Sequence, residues 1–291
     1  MKGIILAGGS GTRLYPLTLV TSKQLLPIYD KPMIYYSLSI LMESNIKDIL
    51  IISTPSDTPR FKELLKDGKD LGIHIEYKVQ EHPNGIAEAF ILGEEFINNE
   101  PCALILGDNI FYGDNLKDKL LNASNNAINN NLATIFGKEV SDPNRFGIIE
   151  FDKNNNPLSI EEKPLLPKSN YAVTGLYFYP KNVCKLAKTI TPSKRNELEI
   201  TDLNKLYLES KSLSVEKLDS SYIWMDAGTI ESLYNASKIV KELEDNNKLI
   251  GCIELIALKK GYISKDEFNK LILKTNKSSY CDYLIRHSKG E

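Results

Sequence analysis

The sequence predicts an α/β fold with a mostly parallel, Rossmann-like sheet that is flanked by helices. Three observations lead to this prediction. In the first half of the chain, short apolar runs alternate with segments of helical periodicity, as is typical of βαβ units. The first apolar run ends in a glycine-rich loop. From Phe146 onward, closely spaced strand-like runs indicate a smaller, β-rich part, and the last residues indicate helices.

The first half supplies the parallel strands. Apolar runs predict strands at Gly3–Ala7, Asp48–Ser53, Ile73–Val79, Cys102–Leu106 and Leu132–Gly137. Apolar residues three and four apart predict helices between them, at Met33–Ser44, Thr58–Lys66, Ile86–Asn98 and Leu116–Ile128. Because a helix separates successive strands, the strands are expected to run parallel.

The second half is predicted to start with a hairpin. Its strands, Phe146–Phe151 and Leu158–Lys163, flank an asparagine-rich turn that ends in Pro157. Further strands are predicted at Ala172–Tyr179, Ser212–Leu218 and Tyr222–Met225, and helices at Lys181–Lys188, Thr201–Ser210 and Ile230–Asp245.

Two units are expected along the chain. Residues 1–240 form the main unit, with halves of about 1–140 and 141–240, and residues 241–291 form a helical appendage. In the appendage, Ser264 and Glu267 have the spacing of a capping box, which predicts a helix through about Lys274. Tyr280–Ile285 is expected to add one or two helical turns. The appendage either packs on the main unit or makes a subunit contact.

Composition limits the classes of partner. The net charge of −2 argues against nucleic-acid binding through bulk electrostatics. No apolar run reaches about 18 residues, and no signal peptide precedes the first strand, so we expect no membrane span and a cytoplasmic protein. The four cysteines are scattered, which argues against a zinc site or a disulfide framework.

The glycine loop after the first strand predicts a phosphate site. Gly8-Gly9-Ser10-Gly11-Thr12-Arg13-Leu14 lets the backbone approach a ligand closely, with its N–H groups turned inward. Arg13 can form paired hydrogen bonds with phosphate oxygens, and Lys23 can add a point charge. The loop is therefore expected to hold a triphosphate.

Other glycine motifs fit this loop less well. A P-loop requires Gly-Lys-Ser/Thr, but Thr12 and Arg13 follow Gly11. A dinucleotide-binding loop requires a third glycine where Leu14 stands. An ordinary strand-to-helix turn would explain the glycines alone, but it would not explain Arg13 and Lys23.

Two aspartates follow apolar strands and together suggest a magnesium site. Asp108 follows the strand Cys102–Leu106, and Asp226 follows Trp224 and Met225. Ligands gather at the carboxyl ends of parallel strands, where the glycine loop is also expected. Either aspartate alone is more typical of a turn or helix cap. Mg²⁺ in proteins is commonly held by one or two carboxylates, substrate phosphates and water.

Two polar segments are candidates for base and sugar recognition. Gln80 offers an amide and a carbonyl that suit an imide base, and Gly85 allows close approach of a flat ring. Glu162 can accept hydrogen bonds from sugar hydroxyls, while Lys163 can neutralise a phosphate. An ordinary polar loop and a solvated strand end are the alternatives.

These motifs resemble those of the sugar nucleotidyltransferases, and most closely the short-chain glucose-1-phosphate thymidylyltransferases. The resemblance rests on Gly8–Leu14, Ser22-Lys23-Gln24-Leu25-Leu26-Pro27 and Asp30-Lys31-Pro32-Met33, and it extends over nearly the whole chain. It implies a nucleotidyltransferase fold with a small sugar-binding part. It also implies condensation of dTTP and α-D-glucose 1-phosphate to dTDP-glucose and pyrophosphate, assisted by Mg²⁺, as the first step of dTDP-rhamnose-type deoxysugar synthesis.

The resemblance also implies roles for individual residues. Arg13 and Lys23 would be catalytic, and Asp108 and Asp226 would hold the metal. The nucleotide-binding residues would be Gly8, Gly11, Thr12, Arg13, Gln80, Gly85, Asp108 and Asn109. The sugar-phosphate-binding residues would be Gly147, Glu162, Lys163 and Val173. The segment Arg195–Asp202 is interpreted as architectural, with Thr201 or Asp202 capping a helix.

Three positions depart from the family pattern. Glu88 stands where the family usually has glutamine, Phe146 replaces a tyrosine and Ala227 replaces a threonine. Phe146 therefore lacks the hydroxyl contact that the family's tyrosine would provide in the sugar pocket. A UTP-using uridylyltransferase remains an alternative because one methyl group gives only about 10- to 200-fold discrimination. A non-catalytic sensor is another. Family members are typically homotetramers and are inhibited by a dTDP-sugar.

Overall fold

The computed structural model of the protein describes residues 1–9, 11–274 and 278–289. Ser10 of the glycine loop therefore lies outside the described residues, as do residues 275–277 and 290–291 of the appendage. Among the described helices, none combines the length and the apolar character needed to cross a membrane.

The described residues form one large sheet, two small two-stranded sheets and helices around them. The strands are β1 (Lys2–Ala7), β2 (Pro27–Ile28), β3 (Lys31–Pro32), β4 (Asp48–Ser53), β5 (His74–Val79), β6 (Cys102–Leu106), β7 (Asn109–Tyr112), β8 (Ala133–Glu139), β9 (Gly147–Phe151), β10 (Pro157–Glu162), β11 (Tyr171–Tyr179), β12 (Leu213–Leu218) and β13 (Ile223–Asp226). The helices are α1 (Ile34–Glu43), α2 (Thr58–Leu65), α3 (Glu88–Leu92), α4 (Glu94–Ile97), α5 (Leu116–Asn129), α6 (Val183–Ala187), α7 (Ile200–Glu209), α8 (Ile230–Asp245), α9 (Ile253–Lys259), α10 (Lys265–Lys274) and α11 (Ser279–His287).

The large sheet is parallel at its centre, which confirms the predicted fold class. β1 pairs in parallel with β4 and β6, and β4 pairs with β5. Ile4 and Ile5 of β1 are both fully buried, because each face of the sheet packs against its own apolar core. β11 runs antiparallel between β6 and β8, and it joins the hairpin of β9 and β10 to the parallel strands.

The predicted helix Ile86–Asn98 is two short helices, α3 and α4, divided at Gly93. A Cβ atom at Gly93 would lie 2.9 Å from the carbonyl oxygen of Ala89 and 3.1 Å from Leu50. A side chain at this position would therefore crowd both the backbone of α3 and the side chains of the sheet. Ile86 and Ala87 precede the helix, and the N–H of Ala87 bonds to the carbonyl of Leu198 instead.

A small antiparallel ribbon carries both candidate metal ligands. β7, which the sequence analysis did not predict, pairs with β13 so that Asn109 is opposite Asp226. The N–H of Ala227 also bonds to the carbonyl of Asp108 at 3.0 Å. The ribbon thereby holds Asp108 and Asp226 at neighbouring positions.

The helices of the appendage share an apolar core with the main unit. Cys252, Ile253, Phe268 and Leu284 belong to the same cluster as strand and helix residues of the first half. The boundary expected at residue 240 falls inside α8. The predicted capping box is present, since Ser264 N–H donates to Glu267 at 2.7 Å and Glu267 N–H donates to Ser264 Oγ at 3.2 Å.

Candidate active site

Two cavities at the carboxyl ends of the central strands meet at Asp108. The glycine-loop cavity, of about 210 Å³, is lined by residues including Gly8, Gly9, Lys23, Gln80 and Gly85. The hairpin cavity, of about 280 Å³, is lined by residues including Arg13, Gly147, Glu162, Lys163, Val173 and Asp226. The residues common to both linings are Ile86, Leu106, Asp108 and Glu197. Two ligands bound in these cavities would therefore touch near the shared residues, which include the carboxylates of Asp108 and Glu197.

The glycine loop has a backbone shape that side chains would prevent. Gly11 has a φ of 58°, and a Cβ atom there would lie 2.8 Å from Thr18 Cγ2. Thr18 Oγ1 donates to the Gly11 carbonyl at 2.9 Å, and Thr12 starts a short 3₁₀ helix. Gly8 and Gly9 line the glycine-loop cavity, whereas Gly11 and Thr12 line neither cavity.

Arg13 is a solvent-exposed cation on the wall of the hairpin cavity. No described carboxylate lies within ion-pair distance of its guanidinium, so its five N–H donors are available to an anion. A Cβ atom at Gly228 would come within 2.7 Å of Arg13 Nη2, which shows how closely the guanidinium approaches the loop after β13.

Lys23 and Asp108 form an ion pair between the two cavities. Burial acts to raise the pKa of Asp108, but Lys23 and a 3.1 Å hydrogen bond from Asn109 Nδ2 hold that pKa below its ordinary value. Asp108 is therefore ionised at neutral pH, and the Lys23 ammonium is held where the two cavities join.

The pKa of Asp226 is shifted in the direction opposite to that of Asp108. Burial and the nearby Asp108 carboxylate raise the pKa of Asp226, although Lys23, Arg13 and Arg145 act to lower it. Among the described residues, Asp226 forms an ion pair with Arg145, whose Nη2 lies 3.9 Å from Asp226 Oδ2. At Asp226, the surrounding cations therefore do not fully compensate for burial and for repulsion by the Asp108 carboxylate.

The two carboxylates fit a Mg²⁺ ion that is shared with phosphates. Asp108 and Asp226 supply hard oxygen ligands from the neighbouring strands of one ribbon. Over the part of the chain that the structure describes, no cluster of three or more His, Cys, Asp or Glu side chains could hold a metal by itself. A two-carboxylate site suits Mg²⁺ when substrate phosphates and water complete its coordination.

Asn109 braces the site through its side chain. Its Oδ1 accepts hydrogen bonds from the Gly175 N–H at 3.0 Å and from Trp224 Nε1 at 2.7 Å. Trp224 in turn packs edge-on against Phe146, with ring centroids 5.3 Å apart. The expected role of Asn109 was nucleotide binding; the structure places it on the lining of the hairpin cavity, with its amide engaged by Asp108, Gly175 and Trp224.

Gln80 and Gly85 lie at the glycine-loop cavity, where base contacts were expected. Gln80 is buried at the end of β5. Gly85 has a φ of 106°, and a Cβ atom there would overlap the backbone of Leu198. The absence of a side chain at Gly85 is thus already required by packing against the second half of the chain.

Glu162 is held in a hydrogen-bond network within the hairpin cavity. Thr201 Oγ1 donates to its Oε2 at 2.6 Å, and Arg195 Nη2 donates to its Oε1 at 3.3 Å. Gly147 leaves this area open, because a Cβ atom there would lie 3.2 Å from Thr201 Oγ1. Lys163 is half exposed, adopts a φ of 44°, and has its Nζ 3.7 Å from Glu162.

The structure corrects the interpretation of Thr201 and Asp202 as helix caps. α7 begins at Ile200, its N-cap is Glu199, and neither residue caps it. Thr201 instead faces Glu162, which is 39 positions earlier in the chain. Thr201, Arg195 and Trp224 all line the hairpin cavity, and the sequence analysis assigned none of them to the site. The sequence signal that could have assigned Arg195 and Thr201 to the site is the resemblance of the segment Arg195–Asp202 to a family motif.

Comparisons with known proteins agree on one family. The model of the family described as nucleotidyl transferase matches residues 2–242. A glucose-1-phosphate thymidylyltransferase of Neisseria gonorrhoeae is 53% identical over 286 residues, which cover 98% of each chain. Another from Mycolicibacterium smegmatis is 46% identical over 287 residues and again covers 98% of both chains.

Solved structures give the same answer at the level of the fold. A Bacillus anthracis protein assigned as a glucose-1-phosphate thymidylyltransferase, in complex with sucrose, is 41% identical and superimposes with a TM-score of 0.75 over 83% of this chain and 95% of that one. A UDP-glucose pyrophosphorylase in complex with UDP-glucose has a TM-score of 0.73 over 83% of this chain and 98% of that one. At 24% identity, it shows the fold alone.

Proposed function

The chain belongs to the nucleotidyl transferase family, and on that premise we propose that it is a glucose-1-phosphate thymidylyltransferase. It joins dTTP to α-D-glucose 1-phosphate, forming dTDP-glucose and releasing pyrophosphate. The names and the near full-length identity of its relatives support this activity. The observation that carries it in the structure is the meeting of two cavities at Asp108, which is ion-paired with Lys23, since two anionic ligands must touch for the transfer to occur.

The reaction needs positioning and charge neutralisation. A phosphate oxygen of the sugar attacks the α-phosphorus of dTTP in line, the new P–O bond forms, and the bond to the β-phosphate oxygen breaks. The sugar phosphate is already ionised at neutral pH, so no base has to remove a proton. Holding both anions in contact can lower the activation free energy by roughly 7–11 kcal/mol.

The cationic side chains and the glycine-loop backbone of the site bind the phosphates. Lys23 lies where the two cavities join, and it is placed to bridge the α-phosphate and the sugar phosphate. Arg13 lies on the wall of the hairpin cavity, near the proposed metal ligand Asp226, and from there it stabilises the departing pyrophosphate through paired hydrogen bonds. The backbone at Gly8, Gly11 and Thr12 holds the nucleotide phosphates: Gly8 lines the glycine-loop cavity, and Gly11 and Thr12 lie outside it in the same loop.

The remaining residues recognise the base and the sugar. Gln80 and Gly85 contact the thymine ring in the glycine-loop cavity. Glu162 accepts hydrogen bonds from sugar hydroxyls, Lys163 binds the sugar phosphate, and Val173 and Gly147 form the floor beneath the sugar. Asp108 and Asp226 would hold Mg²⁺, which when bound neutralises charge on the phosphate oxygens and so supplies electrostatic catalysis.

The first test is pyrophosphate release from Mg²⁺, glucose 1-phosphate and each of dTTP, UTP, CTP, ATP and GTP in parallel. We expect the highest rate with dTTP. The highest rate with UTP would keep the mechanism and make the protein a uridylyltransferase. Failure with every nucleotide and every common hexose 1-phosphate would favour a non-catalytic sensor.

The role of Lys23 gives a residue-level test of the mechanism. Lys23→Ala is expected to lower kcat by about 10²–10³-fold, as for the loss of one group that stabilises transition-state charge. Lys185→Ala removes an exposed lysine on α6 and serves as the matched control. Turnover of Lys23→Ala within a few-fold of the control, with dTTP and glucose 1-phosphate saturating, would contradict the mechanism.

We further propose that the protein is a cytoplasmic homotetramer, that it feeds a dTDP-rhamnose-type pathway, and that a dTDP-sugar inhibits it. A third cavity, of about 290 Å³, lies between α1, β7 and α9. It is lined by apolar side chains, by Lys117 and Lys259, which suit a diphosphate, and by the carboxylates of Glu43 and Asp114. Sedimentation as a monomer would contradict the tetramer. Purely competitive inhibition by dTDP-rhamnose against dTTP, unchanged in Lys259→Ala, would contradict a separate inhibitory site.

A further inference from the structure

Glu88 lies in the first turn of α3, directly behind Gln80, and the proposed reaction does not use it. We propose that Glu88 is a positioning residue that fixes the amide of Gln80 with its oxygen toward the glycine-loop cavity. The site then selects a pyrimidine whose N3 carries a hydrogen atom. This inference rests on the proposed function, since it assumes that the glycine-loop cavity holds the base.

The hydrogen bonds of Gln80 allow only one orientation of its amide. Gln80 Nε2 lies 2.6 Å from Glu88 Oε2 and 3.3 Å from the carbonyl oxygen of Gly85. A carboxylate and a carbonyl oxygen both accept and never donate. The NH₂ group of Gln80 must therefore face them, and both of its N–H donors are used.

The carboxylate of Glu88 is itself held in place. Asn84 Nδ2 donates to Glu88 Oε1 at 2.8 Å, so each carboxylate oxygen accepts one amide N–H. The carbonyl of Asn84 accepts the N–H of Leu198 at 2.6 Å, which anchors the loop to the second half of the chain. Glu88 is thus fixed at both oxygens before any ligand binds.

The opposite end of the Gln80 amide faces the phosphate loop. A Cβ atom at Gly8 would lie 3.3 Å from Gln80 Oε1. Within the described part of the chain, no donor forms a hydrogen bond to this oxygen. Gln80 therefore presents an acceptor to the cavity. The imide N3–H of thymine or uracil can donate to it, whereas N3 of cytosine has only a lone pair.

A carboxylate at position 88 enforces this orientation more strictly than an amide would. With glutamine there, both side chains could rotate together and keep their mutual hydrogen bond, losing only the longer 3.3 Å bond to the Gly85 carbonyl, which would turn Nε2 of Gln80 toward the base. With Glu88, the rotated amide would place its oxygen against a carboxylate oxygen. Glu88 therefore makes the acceptor orientation the only satisfied one.

The test compares dTTP with dCTP as alternative substrates for Glu88→Gln, which keeps the shape of the side chain. We expect the ratio of kcat/KM for dTTP over dCTP to fall at least fivefold, with the change in the KM of the nucleotide and not in that of glucose 1-phosphate. Glu81→Gln is the matched control, because Glu81 is an exposed carboxylate of the same loop. Its ratio should equal that of the wild type.

A double-mutant cycle with Gln80→Ala separates positioning from a general effect on the loop. In the Gln80→Ala background, Glu88→Gln should change the ratio less than twofold. An unchanged ratio in the single variant, or a full effect without Gln80, would overturn the inference. Turnover of dTTP by the wild type tests the proposed function separately. Should that turnover fail, the same ratio measured by calorimetric binding of dTTP and dCTP still decides the role of Glu88.

Discussion

At the scale of single residues, Asp108 and Asp226 differ in how burial and neighbouring charge act on their pKa values. Burial opposes ionisation of both. Lys23 and the hydrogen bond from Asn109 together more than compensate for this at Asp108, whose pKa is lowered, whereas the charge of Asp108 adds to the effect at Asp226, whose pKa is raised. The two carboxylates therefore affect the stability of the metal-free protein in opposite ways.

The expected consequence is measurable by thermal unfolding in EDTA. An ionised group with a raised pKa in the folded state destabilises the fold at neutral pH. Asp226→Asn should therefore unfold at a higher temperature than the wild type at pH 7, while losing activity. The difference should shrink as the pH falls below the raised pKa of Asp226 toward the ordinary value for an aspartate.

Asp108→Asn is the matched variant, because it removes the same charge from the adjacent position. A lowered pKa contributes stability above the ordinary value, and that stability is lost as the pH falls through the folded-state pKa. Asp108→Asn should therefore unfold at a lower temperature than the wild type at pH 7. Equal shifts of the same sign in both variants would contradict the assignment.

The sequence predicts Asp108 and Asp226 as neighbours because both follow apolar strands, and strand ends converge at one sheet edge. It does not predict Thr201 at Glu162. A threonine just before an amphipathic helix is typical of a cap, and no local pattern reveals a partner 39 residues away. Asn109 illustrates the same limit, since its partners Gly175 and Trp224 lie on distant strands.

At the scale of the elements, Gly93 divides a segment whose periodicity predicts one helix. The apolar spacing of Ile86–Asn98 is helical, but periodicity carries no information on how closely a helix approaches the sheet. Gly93 lies against Leu50 and Ile4 of the parallel strands. β7 was missed for a related reason, because its four residues are stabilised by pairing with β13, more than a hundred positions later.

Gly93→Ala is expected to lower the free energy of unfolding by about 1–3 kcal/mol, as for overpacking of a close-packed interior. The added Cβ would meet the Ala89 carbonyl at 2.9 Å. Chemical denaturation measures this loss. Glu95→Ala also ends in alanine on the exposed face of α4, removes only a surface ion pair with Lys78, and should have little effect. If Gly93→Ala were as stable as that control, α3 and α4 would be able to move away from the sheet without loss of folding free energy.

At the scale of the whole molecule, Lys31 connects the start of the chain to its last helices. Its side chain is fully buried, and its ammonium contacts Asp30 at 2.6 Å as well as Glu244 of α8. The ammonium also lies 5.3 Å from the ring centre of Tyr280 in α11. One buried cation therefore joins three regions that are far apart in sequence.

Removing this cation should cost more than removing any surface lysine. Lys31→Met leaves Asp30 and Glu244 without their shared partner, and breaking a buried ion pair costs about 3–5 kcal/mol. Lys241→Met, which removes an exposed ion pair with Asp245 on α8, is the control and should change stability little. The comparison is made by urea denaturation at pH 7. Equal midpoints for the two variants would contradict a structural role for the buried pair.

The order of strands in the large sheet belongs to this scale and was not predicted. Alternation of strands and helices predicts that β1, β4, β5 and β6 are parallel, because each crossover contains a helix. It does not specify that β11 lies between β6 and β8, since an apolar strand such as β11 could be buried equally well at any interior position of the sheet. The predicted β-rich second half therefore continues the first sheet, through β11, without a separate core of its own.

The ribbon of β7 and β13 has a consequence for how the protein is made. Asp108 emerges from the ribosome early, but its partner Asp226 is residue 226 of 291. A nascent chain can complete the glycine loop long before the second carboxylate exists, and domains fold as their last contacting segment appears. Chemical competence therefore arrives late in translation, and a chain cut short before β13 contains the glycine loop but lacks one of the two carboxylates proposed to hold the metal.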